Sequence, residues 1–147
     1  MLEGRGRKAR IRQRANFLCE YCRSPEGFAP ATFSVEHIVP GSRGGGDDLE
    51  NLALSCQSCN GHKYAKTESP DPRSGKAVPL FHPRRQRWEE HFAWSADFTR
   101  ILGKTPTGRA TIGALCLNRD SLLRLRRLLW AAGEHPAQAE NQRPRMP

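Results

Sequence analysis

No stretch of this sequence approaches the ~18 consecutive apolar residues that a membrane-spanning helix requires, and apolar residues fill only 37% of its 147 positions. A membrane-spanning helix is not expected, and a soluble chain is. The first sixteen residues contain no apolar block of ~7 to 15 residues, so a secretory signal is not expected and the cytoplasm is the predicted location. Negative charge is scarce as well: 15 Asp and Glu face 24 Lys and Arg, leaving a formal charge of +9 and a pI near 10. Such a surplus favours acidic partners, nucleic acid first among them. Cysteines number five, and in a reducing compartment they do not form a disulfide framework, which leaves metal binding as the better reading. The length suits one compact domain with an appendage rather than a large multidomain architecture.

Charge divides the chain into zones. Residues 1–16 carry Arg5, Arg7, Lys8, Arg10, Arg12 and Arg14 against Glu3 alone, with no proline, so a basic helix is predicted. Residues 17–67 contain both cysteine pairs at a net charge of −2, and residues 68–147 return to +6. Pro70, Pro72, Gly75 and Pro79 mark residues 68–79 as a linker. Residues 80–133 are predicted to form a smaller second unit. In it, Trp88 to Trp94 and Phe98 to Ile101 flank a Ser95–Asp97 turn as a β-hairpin. Thr105 with Pro106 caps one helix, and Asn118 caps another that buries Leu122, Leu125, Leu128 and Leu129. Arg119, Arg124, Arg126 and Arg127 would line its wet face. Residues 134–147 are predicted to be a flexible tail.

Cys19 and Cys22, then Cys56 and Cys59, are two pairs with identical spacing. Two cysteines with two residues between them reach one ion from a tight turn, and a second pair completes a tetrahedron. Four thiolates leave zinc no open position, so this Zn²⁺ is expected to be structural, closing the loop between the pairs. Cys116 stands alone and is expected to be a small buried apolar residue.

Between the pairs run Ser34-Val35-Glu36-His37-Ile38-Val39-Pro40, a glycine-rich loop from Gly41 to Gly46, Asp47-Asp48-Leu49-Glu50-Asn51-Leu52, and then Cys56 through Cys59-Asn60-Gly61-His62-Lys63. Over residues 17–67 this order resembles the HNH nuclease family, whose ββα-metal core is often laced by such cysteine knuckles. The segment from Pro79 to Pro136, with Phe81-His82-Pro83-Arg84 and Gly103-Lys104-Thr105-Pro106-Thr107-Gly108-Arg109-Ala110-Thr111, is similar to the tail of a bacterial subgroup of that family. The fold class expected is α+β: a small zinc-laced ββα-metal core, an N-terminal basic helix, and a C-terminal hairpin with two helices.

The resemblance implies His37 as general base, Asn51 as the residue that ties its loop together, and Glu36 with Asn60 as ligands of a catalytic divalent metal. Glu and Asn stand where the family more often has Asp and His, and two oxygen donors suit Mg²⁺ or Mn²⁺ better than softer ions. Histidine, with a pKa near ~6.5, is chemically suited to take a proton from water near neutrality. Asp48 would cap the turn at Leu49–Asn51. On α-helical spacing Lys63 shares Asn60's face and could neutralise a phosphate oxygen, whereas His62 lies ~200° away and is expected at the surface. Lys63, Arg43 and the six basic residues of the N-terminal helix are thus the candidate nucleic-acid contacts, with double-stranded DNA the expected partner. The competing readings are a zinc module that binds nucleic acid without cutting it and a protein-interaction ribbon. Neither requires a base at His37.

Overall fold

The computed structural model describes residues 5–137, so positions 1–4 of the expected basic helix and 138–147 of the expected tail lie outside the described residues. Helix α1 (Arg5–Arg14) is almost wholly polar, but Ile11 and, just beyond its end, Ala15 are buried. Asn16 and Phe17 both adopt left-handed backbone with φ 58°, which ends the helix and turns the chain into the first cysteine knuckle. Strands β1 (Ser34–His37) and β2 (Leu52–Ser55) pair antiparallel, Ser34 opposite Ser55 and His37 opposite Leu52. Helix α2 (Gln57–Lys63) follows at once, with Cys56 as its N-cap, the sulfur accepting from the Cys59 N–H. All four residues of β2 are buried, and α1 packs against this strand. The architecture is the expected α+β, with the ββα unit at its centre.

Residues 68–79 are not a linker. They form a hairpin of β3 (Glu68–Pro70) and β4 (Ala77–Pro79) that packs on helix α4 (Pro106–Leu115). Pro70 and Pro79 sit at strand ends, where a missing N–H costs no ladder bond, and Pro72 lies in the turn between them. Arg109 pairs through Nε and Nη2 with both oxygens of Asp71 at 2.9 and 3.0 Å, pinning the hairpin turn and holding that carboxyl down at about 2.

Nor do residues 80–133 form a separate unit. A single buried cluster runs from Ile11 through the two cysteine pairs to Leu122. Helix α3 (Trp88–His91) occupies part of the stretch expected as strand, leaving β5 (Phe92–Trp94) and β6 (Ile101–Gly103) as the hairpin. Thr105 caps α4 by accepting from the Gly108 N–H, with Pro106 in the first turn. A Cβ on Gly108 would stand 2.1 Å from the His91 carbonyl oxygen, so only glycine permits this approach of α4 to α3.

Helix α5 (Asp120–Ala131) is capped by Arg119, without a side-chain bond, rather than by Asn118. Asn118 instead brackets Ile101, accepting from its N–H and donating to its carbonyl at 2.7 and 2.8 Å. Leu122, Leu123, Arg126 and Leu129 form the buried stripe of α5, while Leu128 is exposed. Arg126 therefore leaves the wet face expected for it. It donates to the carbonyls of Thr99 and Leu117 and lies over the Trp94 ring. Cys116 is exposed, not buried: it ends α4 in left-handed conformation at φ 52°. Within the expected tail, His135 packs against Trp94 and meets the Phe98 carbonyl at 2.7 Å.

Candidate active site

Four sulfurs converge between the first knuckle and the start of α2. Those of Cys19, Cys22, Cys56 and Cys59 all lie within 4.8 Å of one another, and Cys22 and Cys56 stand 3.8 Å apart. Tetrahedral zinc with ~2.3 Å bonds to sulfur places its ligands ~3.8 Å apart, so the set fits structural zinc. Backbone N–H groups of Cys22 and Cys59 point at the sulfurs of Cys19 and Cys56. The crowding is visible in the thiol equilibria. Burial pushes Cys19 up, its neighbours push Cys59 up, and the hydrogen bonds converging on Cys56 pull it down. A bound dication removes that competition by favouring the thiolate at every position.

The C-terminal segment closes over this cluster. Arg119 directs its guanidinium at Cys56 and Cys59, with nitrogen to sulfur distances of 3.6 to 3.8 Å. Burial works against its charge, but the facing thiols outweigh burial and hold Arg119 above its ordinary value. On the other knuckle, Arg84 pairs with Glu20, and the Trp88 indole donates to the Tyr21 carbonyl at 3.1 Å. Neither Arg119 nor Arg84 stands out in the sequence among so many basic residues.

At the end of β1, successive side chains take opposite faces, as the pleat dictates. Glu36 is buried and His37 exposed. The loop beyond is locked by Asn51. Its Oδ1 accepts from the Val39 N–H at 2.9 Å, and its Nδ2 donates to the carbonyls of Val39 and Gly46 at 2.9 and 2.8 Å. Gly45 lies so close that a Cβ would stand 1.7 Å from the Val39 oxygen. Asp48 caps the Leu49–Asn51 turn only through its backbone, its side chain making no cap bond. Asp47, which the sequence did not single out, brings its carboxylate 2.6 Å from His37 Nε2. Its one signal was position, directly after the glycines.

Glu36 accepts from the Tyr21 hydroxyl at 2.6 Å and has the Lys63 ammonium 3.5 Å away. Burial raises this carboxyl, and Lys63 and Tyr21 oppose the rise. Lys63 is itself only 1% exposed and donates to the Ile38 carbonyl at 2.8 Å. It is therefore a buried counter-ion rather than a phosphate contact. Asn60, one helical turn before Lys63, lies on the same side of α2. As arranged, this donor set does not fit a resident divalent ion, because Glu36 already has its counter-charge and faces away from His37. Among the described residues, the four cysteines are the only cluster of three or more His, Cys, Asp or Glu side chains able to share an ion.

The other basic candidates separate by partner. Arg12 forks onto Glu26 at 2.8 and 3.2 Å, and Arg14 donates to the carbonyls of Leu49 and Leu52, so both anchor α1 to the core. Lys8 and Arg10 are exposed. Exposed Arg43 reaches the Ala65 carbonyl at 3.2 Å, and Arg7 donates to the Asp47 carbonyl. His62 is at the surface, as expected.

Residues 19–66 match the protein-family model described as HNH endonuclease. No curated protein and no solved structure matches the chain. This segment is thus similar to HNH endonuclease domains, its cysteine cluster fits their zinc knuckles, and the match suggests a nuclease or nucleic-acid-binding function for it. The match ends before residues 80–133, which the fold nevertheless binds to the same core.

Proposed function

We propose that the protein is an HNH endonuclease that hydrolyses phosphodiester bonds of nucleic acid, with duplex DNA as substrate and His37 as general base. The observation that supports this most directly is the placement of His37. An imidazole reaches solvent from the end of a strand whose following loop is immobilised by Asn51, in the segment that matches the HNH family. A base must be held still and still meet water, and this position combines the two. Asn51 is the positioning residue. The products would carry 5′ phosphate and 3′ hydroxyl. The resemblance assigns Mg²⁺ or Mn²⁺ to Glu36 and Asn60, so cleavage is measured with and without each ion.

Zinc-loaded protein is incubated with supercoiled plasmid beside His37→Ala. Wild type is expected to cut, and His37→Ala to lose ~10² to 10⁴ in rate while retaining zinc, fold and affinity for DNA. If folded, zinc-loaded wild type cuts no plasmid, linear duplex or single strand under any of these conditions, the protein is the non-catalytic binding module instead. Exposed His37 and the basic α1 would then serve adhesion alone.

A further inference from the structure

A crevice of about 260 Å³ opens where α1 crosses the outer face of the β1–β2 ribbon. It is lined by Arg7, Lys8, Ile11, Val35, His37, Asp47 and Leu52. Its floor is apolar, the candidate base stands on one wall, and the cations on its lining all come from α1. We propose that Arg7 is a catalytic residue of the nuclease, gripping the scissile phosphate beside His37, so that α1 completes the active site rather than merely raising affinity for nucleic acid. This rests on the nuclease reading above.

Three observations carry it. First, the cation expected from α2 is missing from the reaction site, because Lys63 is buried against Glu36 and the Ile38 carbonyl. Phosphoryl transfer still needs positive charge on the non-bridging oxygens. Second, Arg7 is already held at the site: it donates to the backbone carbonyl of Asp47, the residue whose carboxylate touches His37. A guanidinium has five N–H donors, so donors remain for two phosphate oxygens in the bidentate fashion that arginine favours. Third, α1 is a fixed wall. Ile11 is 1% exposed, Arg12 is paired with Glu26, and Arg14 is bonded to two carbonyls of the Leu49–Leu52 segment. A cation on such a support is preorganised, whereas Arg10, one turn on and exposed, is not on the crevice wall.

In the reaction, the water oxygen forms the new bond to phosphorus as its proton passes to the His37 ring. The bond from phosphorus to the 3′ oxygen breaks, and its electron pair leaves on that oxygen, which takes a proton from solvent. His37 returns its proton to solvent. Arg7 makes no covalent bond, and its charge stabilises the oxygens that become more negative in the transition state.

The test separates affinity from chemistry in the full-length, zinc-loaded protein. Single-turnover cleavage of a duplex is measured at saturating protein for wild type, Arg7→Ala, Arg7→Lys and Arg10→Ala, with affinities from titration in parallel. Arg7→Ala is expected to lower the saturated rate by ~10² to 10³, the loss typical of one oxyanion donor. Its affinity should fall only a few-fold, Arg7→Lys should recover part of the rate, and millimolar guanidinium ion should restore activity to Arg7→Ala. Arg10→Ala should weaken binding alone. If Arg7→Ala cuts at the wild-type rate once saturated, or if guanidinium restores nothing, the proposal is overturned and the nuclease reading stands. If wild type itself cuts nothing, both fall.

Discussion

Truncating Asn51 to alanine should be far more damaging than its place in a short surface turn suggests. The side chain is 9% exposed and makes three hydrogen bonds, to the N–H and C=O of Val39 and to the C=O of Gly46. At about 1 kcal/mol net for each bond, Asn51→Ala should cost about 3 kcal/mol, less whatever water recovers at exposed Gly46. Gly45→Ala attacks the same lock from outside. Its Cβ would sit 1.7 Å from the Val39 oxygen and 2.8 Å from Asn51 Nδ2, where real contacts stay beyond 3.0 Å. The loop must retreat by more than 1 Å, which breaks the bonds Asn51 makes. The two substitutions therefore remove one interaction set, and the double variant should be more stable than additivity implies by about 2 kcal/mol. Urea unfolding of the zinc-saturated proteins gives the cycle, and exchange of the Val39 amide proton reports the lock itself. Protection of that amide should collapse in both single variants, and displacement of the loop by ~1 Å should cost on the order of 10² in cleavage. An additive cycle, or unchanged Val39 protection in Asn51→Ala, would refute the reasoning.

The four thiols should retain one zinc per chain through dialysis, measured by elemental analysis, and Cys56→Ser should release it and unfold the ribbon. Arg119→Met should let a chelator strip that zinc ~10- to 100-fold more readily, because the guanidinium no longer offsets thiolate charge; an unchanged release rate would deny it this role. Lys63→Met should destabilise the fold by ~3 to 5 kcal/mol by leaving Glu36 buried without its counter-ion, and adding Glu36→Gln should recover most of the loss in thermal melts. Arg109 holds Asp71 at about 2 against ~3.9 in an unfolded chain. Its contribution to stability is therefore complete above pH ~4 and disappears as pH falls through about 2. Acid titration of Asp71→Asn should lack that portion of the loss.

What was legible in the sequence was what depends on neighbours a few residues apart. Two cysteines with two residues between them must reach one ion, Thr105 before Pro106 must cap α4, and β-rich segments around Ser95–Asp97 must return as a hairpin. The order of Glu36, His37, Asn51 and Asn60 carried the family in the same way, because the ββα unit is nearly continuous in the chain. Only the tertiary structure decided which charges are free. Lys63, Arg12, Arg14, Arg119 and Arg126 look like Lys8 and Arg10 when read as letters, yet the first five are committed to partners from 3 to 63 residues away. The supposed linker became a hairpin because α4 supplied Arg109 to Asp71, and His37 gained Asp47 because the loop folds back on itself. A side chain's type sets which bonds it can form, and burial among distant segments sets which it must form, since a charge removed from water cannot remain unpaired.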